Sequence, residues 1–134
     1  MKSQQLVVKY ICSICNTLDT LYYINDGGCC FLAYIIAKYL EEENISYKVL
    51  IIDDKPIGKF KELKAVAHVC IVIKHDIINY DCSYDTMNKK YFNNITSNDL
   101  LNYYNKNNWC TLYNKAYNAF IELMFNKLIH HAVI

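Results

Sequence analysis

The chain has 134 residues, of which 54% are hydrophobic and 20% are charged. This length suits one domain that buries a core without a disulfide or metal to hold it, and the composition excludes a disordered chain. The formal net charge is +1, and acidic and basic residues are interspersed, without the basic stripe that binds nucleic acid. We therefore expect a single domain over residues 1–134 that does not bind nucleic acid. The 13 tyrosines fit the coding bias of an AT-rich genome better than a recognition surface.

Features that direct a chain to a membrane or to secretion are missing from the sequence. No segment reaches the roughly 18 consecutive apolar residues that a transmembrane helix needs. The segment Met1–Val8 lacks the apolar stretch of a signal peptide. The seven cysteines, an odd number scattered along the chain, indicate reduced thiols and not a disulfide framework. These features predict a cytoplasmic protein, whether host or viral, with no membrane partner and no indication of oligomeric state.

The hydrophobic pattern predicts helices at both ends of the chain and strands between them. Apolar residues at helical spacing mark the helices, β-branched runs mark the strands, and a capping pattern begins at Thr96. In chain order, the predicted elements are helices over 4–18 and 29–43, strands over 47–52, 66–73, 77–81 and near 91–92, and helices over 96–104 and 111–129. This order predicts an α+β fold in which a largely antiparallel sheet packs against helices.

The sequence Asp26-Gly27-Gly28-Cys29-Cys30 stands where a loop enters the second predicted helix. A thiol in the first turn of a helix faces the positive end of the macrodipole and unpaired backbone N–H groups, which favour the nucleophilic thiolate. The glycines allow close approach of a substrate and leave an N–H group available to an oxyanion. We expect Cys29 to be a nucleophile with a lowered pKa, and the competing interpretation is a pair of small core residues.

A histidine and an aspartate lie on the two strands that follow. A tight hairpin centred between Lys74 and His75 would place Asp81 opposite His68, with Cβ atoms about 4.5–5.5 Å apart. A carboxylate in that position can accept from an imidazole and hold its tautomer. Taken singly, these are an ordinary strand-end histidine and an ordinary turn residue. Together with Cys29 they predict a catalytic triad of nucleophile, base (His68) and orienting acid (Asp81).

The run from Gly27 to Leu40 resembles the nucleophile helix of transglutaminase-like and related papain-like cysteine enzymes. In that pattern, small residues lie four and eight positions after the cysteine. Ala33 and Ala37 meet these offsets from Cys29, whereas the same offsets from Cys30 fall on large side chains. The resemblance therefore favours the first cysteine of the pair as the nucleophile.

The segments Ala67–Ile73 and Asn79–Asp81 are similar to the histidine and aspartate strands of the same family. The resemblance implies a papain-like or transglutaminase-like core with extra C-terminal helices. It also implies acyl transfer from an amide or ester bond, through a Cys29 thioester, to water or to an amine. The implied partner is a peptide, amide or ester substrate, and no cofactor or metal is implied.

Two positions depart from the family pattern. Tyr23 stands where papain-type enzymes carry a glutamine for the oxyanion, so the resemblance leaves this role to the backbone at Gly28 and Cys29, helped by Asn25 or Tyr23. Asn44 replaces a glycine of the pattern, and asparagine also tolerates the left-handed backbone conformation.

Several other interpretations remain open from the sequence. Cys12 and Cys15, with the vicinal pair Cys29 and Cys30, allow a structural zinc site, although the second pair lacks the usual spacing. The vicinal cysteines also allow a redox function. His75 is a second possible base. A fourth interpretation is a catalytically inactive binding or regulatory protein that retains the same fold.

Overall fold

The computed structural model describes residues 4–22, 28–53, 68–107 and 111–133. Within these ranges, the elements in chain order are helices α1 (Gln4–Tyr22) and α2 (Cys29–Glu42), strands β1 (Lys48–Asp53), β2 (His68–Ile73), β3 (Asp76–Ile78) and β4 (Asn88–Phe92), and helices α3 (Ser97–Asn107) and α4 (Thr111–Val133). A short 3-10 turn at Cys82–Tyr84 connects β3 to β4. The predicted α+β class is confirmed. In the part of the chain described, none of the helices combines the length and the apolar character that crossing a bilayer requires.

The four strands form one antiparallel sheet in the order β3-β2-β1-β4. Strand β2 pairs with β1 from Lys48↔Val72 to Ile52↔His68 and with β3 from Ile73↔Asp76 to Ile71↔Ile78. Residues 74 and 75 therefore form a two-residue turn, and the hairpin has the register in which residue 81, if it were still paired, would face residue 68. The sheet is antiparallel throughout, where the hydrophobic pattern predicts a largely antiparallel one.

Both faces of the central strands are buried, which explains their nearly continuous apolar sequences. One face, which includes Val49, Ile51 and Val69, packs against the helices in the main core. The opposite face forms a smaller cluster, in which Leu50, Ile52, Cys70 and Val72 pack against the partly buried side chains of Ile77, Tyr80, Tyr84 and Met87. Each fully buried aliphatic side chain contributes roughly 1.5–3 kcal/mol to the free energy of unfolding. The sheet is thus held rigidly from both sides.

The predicted boundaries hold closely for the helices but not for the strand predicted over 77–81. Helices α1 and α4 continue to Tyr22 and Val133, a turn beyond their predicted ends. Strand β3 ends at Ile78, because the next residue, Asn79, has a φ of 70°. A left-handed residue cannot continue a β-strand, and asparagine adopts this conformation at less cost than most residues.

A carboxylate joins the end of α2 to the start of α3. Glu41 accepts hydrogen bonds from the Ser97 backbone N–H at 2.9 Å, from the Ser97 hydroxyl at 2.6 Å and from the Tyr47 hydroxyl at 2.5 Å. Burial raises the pKa of Glu41, but these hydrogen bonds outweigh that effect and hold the pKa below its ordinary value of 4.5. The ionised side chain therefore stabilises the packing of α3 on α2.

We predict that Glu41→Gln lowers the free energy of unfolding by about 1 kcal/mol at pH 7, since hydrogen bonds to a charged acceptor are lost. A carboxylate with a lowered folded pKa stabilises above its unfolded pKa, and this contribution is lost as the pH falls through the folded value. Urea unfolding measured from pH 7 to pH 3 should show that the free energies of unfolding of the variant and the wild type converge below pH 4.5. Glu42→Gln is the matched control, and an equal effect in both variants would refute the assigned role.

Candidate functional site

Helix α2 begins at Cys29, directly after the buried Gly28. Gly28 is the N-cap residue, and its carbonyl accepts the first hydrogen bond of the helix, from the Leu32 N–H at 3.0 Å. The preceding N–H groups of the first turn have no partner within the helix. The half-buried Cys29 thiol lies beside its own N–H, that of Cys30, and that of Val69 on β2. The thiol is therefore surrounded by backbone donors from two elements.

The early end of β3 explains how a helix residue reaches the backbone of β2. Ile73 and Asp76 flank a two-residue turn and therefore form a hydrogen-bonded pair. Every second residue back along β2, first Ile71 and then Val69, also directs its backbone N–H and C=O groups towards β3. Ile71 faces Ile78 in this ladder, but β3 has no residue left to face Val69. The Cys29 thiol lies against that N–H group. The short β3 thus leaves the Val69 N–H group without a partner in the ladder, and that group lowers the pKa of the Cys29 thiol.

The resting thiol is not activated. Burial raises the pKa of Cys29 above the ordinary value of 9.0, and the N–H groups of Val69, Cys30 and Cys29 lower it by a smaller amount. The expectation of a lowered thiol pKa from the helix terminus alone is therefore wrong for this structure. The physical reason is that removing the thiolate from water costs more free energy than its hydrogen bonds to three backbone N–H groups provide.

His68 is the first residue of β2, is only 3% exposed, and is held by a backbone carbonyl. Its Nε2 lies 2.6 Å from the Asn79 oxygen. A carbonyl can only accept, so Nε2 carries the proton and donates. Burial lowers the pKa of His68, while the Asn79 carbonyl and the charges of Asp81 and Asp19 raise it by less. The ring is therefore neutral at pH 7, with its lone pair on Nδ1.

An aromatic side chain fixes the plane of the imidazole. The Tyr84 ring stacks on His68 with centroids 4.5 Å apart and planes only 6° from parallel. The turn that carries Tyr84 is held in place by Lys89, whose Nζ donates to the Tyr84 carbonyl at 2.8 Å and to the Asp85 carbonyl at 3.0 Å. The imidazole thus has one edge fixed by Asn79 and one face covered by Tyr84.

Asp81 does not orient His68 in the way that the sequence predicted. Its Oδ1 accepts from the backbone N–H of Ser83 at 2.8 Å and from the Ser83 hydroxyl, and the residue is exposed. The hairpin register would place residues 68 and 81 opposite each other, but the turn at Asn79 takes the chain out of the sheet first. Asp81 acts on the imidazole only through its charge, and the hydrogen bond comes from Asn79.

The remaining predicted residues divide into three groups. Tyr23 and Asn25 lie outside the described residues, so their proposed contact with an oxyanion stays a prediction. Cys30 points into the core, where its thiol donates to the Leu100 carbonyl at 3.4 Å and burial raises its pKa to about 12. His75 is exposed in the hairpin turn. Within the described ranges, no three metal-binding side chains lie close enough to share an ion.

Sequence reasoning missed two residues of the site. The pattern predicts a strand through Asn79, although asparagine tolerates the left-handed conformation that ends a strand. No spacing rule distinguishes Tyr84 from the other tyrosines as a partner of His68. A second tyrosine, Tyr103 on α3, has a raised pKa, caused mainly by burial and also by the charges of Cys30 and Cys29.

We predict that Asn79→Val lowers the free energy of unfolding by about 1–2 kcal/mol, because a β-branched residue resists the left-handed conformation. It should also lower the pKa of His68 further, since the carbonyl that favours the charged ring is displaced. The matched control is Asn44→Val, which replaces another left-handed asparagine, with a φ of 56°. An NMR titration of the His68 ring together with urea unfolding measures both effects. An unchanged His68 titration in Asn79→Val would contradict the orienting role.

Comparisons with known proteins do not indicate which reaction or ligand this site supports. No family model, no curated protein and no solved structure matches this chain. The likeness to transglutaminase-like and papain-like enzymes therefore rests on the residues quoted above. A buried thiol at a helix start and a neutral, oriented imidazole at the adjoining strand end form the candidate functional site.

Proposed function

We propose that the chain is a thiol-dependent hydrolase or acyltransferase of transglutaminase-like or papain-like type, acting on an amide or ester bond through a Cys29 thioester. One observation carries the proposal. The 2.6 Å hydrogen bond from Nε2 of His68 to the Asn79 carbonyl leaves Nδ1 deprotonated, one residue along β2 from Val69, whose N–H group acts on the Cys29 thiol. A buried histidine with one nitrogen held by an acceptor and the other deprotonated can serve as a general base once the proton of the nucleophile comes within hydrogen-bond reach, and the proposal assigns that approach to the substrate complex.

The proposed reaction starts from a neutral thiol and a neutral imidazole. As Sγ of Cys29 attacks the substrate carbonyl, its proton passes to Nδ1 of His68, and the carbonyl oxygen becomes negatively charged. First-turn N–H groups of α2 hold that oxygen. The proton then passes from Nδ1 to the departing amine or alcohol, leaving a thioester. Water or an acceptor amine, deprotonated by His68, attacks the thioester and regenerates the thiol.

The surroundings of His68 suit the charge that forms during this reaction. An imidazolium would carry its positive charge against the face of Tyr84, at the observed centroid distance of 4.5 Å, where a cation and an aromatic ring attract each other. The Asn79 carbonyl and the charge of Asp81 also favour the protonated ring. These groups offset part of the cost of charging a buried histidine, so proton transfer from the thiol becomes accessible when the substrate binds.

A second candidate is a binding or regulatory protein without catalytic activity. The observation that favours it is electrostatic: burial raises the pKa of Cys29 and lowers that of His68, so the resting structure opposes the thiolate–imidazolium pair. In addition, the hydrogen bond of the His68 ring goes to Asn79 and not to Cys29. Such a protein would have an ordinary buried thiol whose reactivity does not depend on His68.

We predict that the chain cleaves an activated ester such as p-nitrophenyl acetate with an initial burst that reports acylation of Cys29. The burst should disappear in Cys29→Ala, and the acylation rate should fall by about 10²–10⁴-fold in His68→Gln. Because the folded pKa of His68 lies below 6.5, the rate should rise with pH below that value and then stay level up to about pH 8. Stopped-flow absorbance measures each rate.

Two controls separate the candidates. Asp81→Asn should lower the acylation rate less than tenfold, since Asp81 touches Ser83 and not the ring. Alkylation of the exposed thiol Cys82 by iodoacetamide gives the reference reactivity of a thiol in water. A full burst in Cys29→Ala would exclude the enzyme proposal. No burst, with alkylation of Cys29 equal in wild type and His68→Gln, would establish the non-catalytic alternative.

A further inference from the structure

A second concave site lies at the opposite end of the sheet from His68. It has a volume of about 740 Å³ and is formed where the start of α1, the start of β1, the end of β2 and the β4–α3 connection meet. Lys48 pairs with Val72 at this end of the β1–β2 ladder, whereas Ile52 pairs with His68 at the other. Four residues at roughly 3.3 Å each separate the two ends by about 13 Å. We call this site the lysine cleft.

The charge of the lysine cleft has one sign. Lys48 and Lys74 both line it, and none of the described residues that line it is acidic. Lys74 is held at its rim by the left-handed backbone of the β2–β3 turn, with a φ of 55°. Asn93 and Asn94 add amide groups on the opposite wall. Glu41 and Asp99 do not line the cleft, but they accept hydrogen bonds from two residues that do, Tyr47 and Thr96. The lining itself carries two cations and neutral donors, which attract an anion and repel a cation.

The cleft also has an apolar floor and an unsatisfied polar atom. Val72 and Ile95 line the cleft with the small exposed part of their side chains, and the half-buried Ile45, which also lines it, adds aliphatic surface. Gln4 lines the cleft, and its amide Oε1 is buried without a hydrogen-bond partner. A buried amide oxygen without a donor costs free energy, which is recovered when the Gln4 side chain rotates towards a ligand O–H or N–H group in the cleft. The volume lies within the 300–1,000 Å³ that is usual for small-molecule sites.

We propose that the lysine cleft binds a small organic anion, a carboxylate or a phosphate ester, that carries a ring or similar apolar body and an O–H or N–H donor. The anionic group lies between Lys48 and Lys74, the apolar body covers Val72 and Ile95, and the donor meets Gln4. Because the cleft and the Cys29 thiol lie at opposite ends of the sheet, this binding does not depend on the proposed acyl-transfer chemistry.

Backbone amide NMR of the full chain, with Cys29→Ala to exclude acylation, tests the proposal with 4-hydroxybenzoate as the probe. We expect saturable shifts at residues 45–48 and 93–96 with a dissociation constant of about 1 mM. Benzoate, which lacks the donor, should bind more weakly, and neutral 4-hydroxybenzyl alcohol should not saturate. Phenyl phosphate binding more tightly than benzoate would identify a phosphate ester as the preferred anion, and the reverse order would identify a carboxylate.

Substitutions of the lining residues test whether these side chains bind the probe. Lys48→Met and Lys74→Met should each weaken 4-hydroxybenzoate binding by about two- to fivefold, as expected for an exposed charge pair. Lys90→Met is the matched control, since Lys90 lies over Phe92 and outside the cleft. Gln4→Met should abolish the advantage of 4-hydroxybenzoate over benzoate. Saturable shifts located elsewhere, or equal effects of all three lysine variants, would overturn the proposal.

Discussion

The left-handed turn at Asn79 is the constraint on which the candidate site depends. It ends β3 at Ile78, which leaves the Val69 N–H without a strand partner and gives the Cys29 thiol a place against β2. The same turn directs the Asn79 carbonyl to Nε2 of His68. One residue of unusual backbone conformation therefore affects both Cys29 and His68, and backbone strain of this kind is often found at functional sites.

Burial has opposite effects on the two groups that would react. It holds the thiol protonated and the imidazole deprotonated, so Cys29 and His68 are both uncharged at pH 7. A neutral pair is less reactive towards stray electrophiles than a preformed thiolate, because only the thiolate is strongly nucleophilic. In the proposed reaction, the donors around the thiol and the Tyr84 ring beside His68 would act mainly on the charges that develop in the transition state.

Periodicity in the sequence was sufficient to predict the element order and the largely antiparallel sheet. These features follow from side-chain burial, which repeats regularly along helices and strands. The site was harder to predict, because Cys29 and His68 are marked by position but their partners are not. Asn79 acts through its backbone carbonyl and Tyr84 through a stack between separate segments, and neither interaction leaves a spacing pattern. Asp81 fits the hairpin register, but strand pairing ends at Ile78, three residues before it.

The two outer strands of the sheet have a further consequence. Strand β3 is three residues long, and β4 carries Lys89 and Lys90 within its five residues. A short edge and a lysine-bearing edge both discourage the addition of a foreign strand, since an incoming chain finds few unpaired backbone groups or must desolvate an ammonium group. In a chain with 54% hydrophobic residues, such edges protect the β-branched central strands from intermolecular β-pairing and amyloid-like stacking.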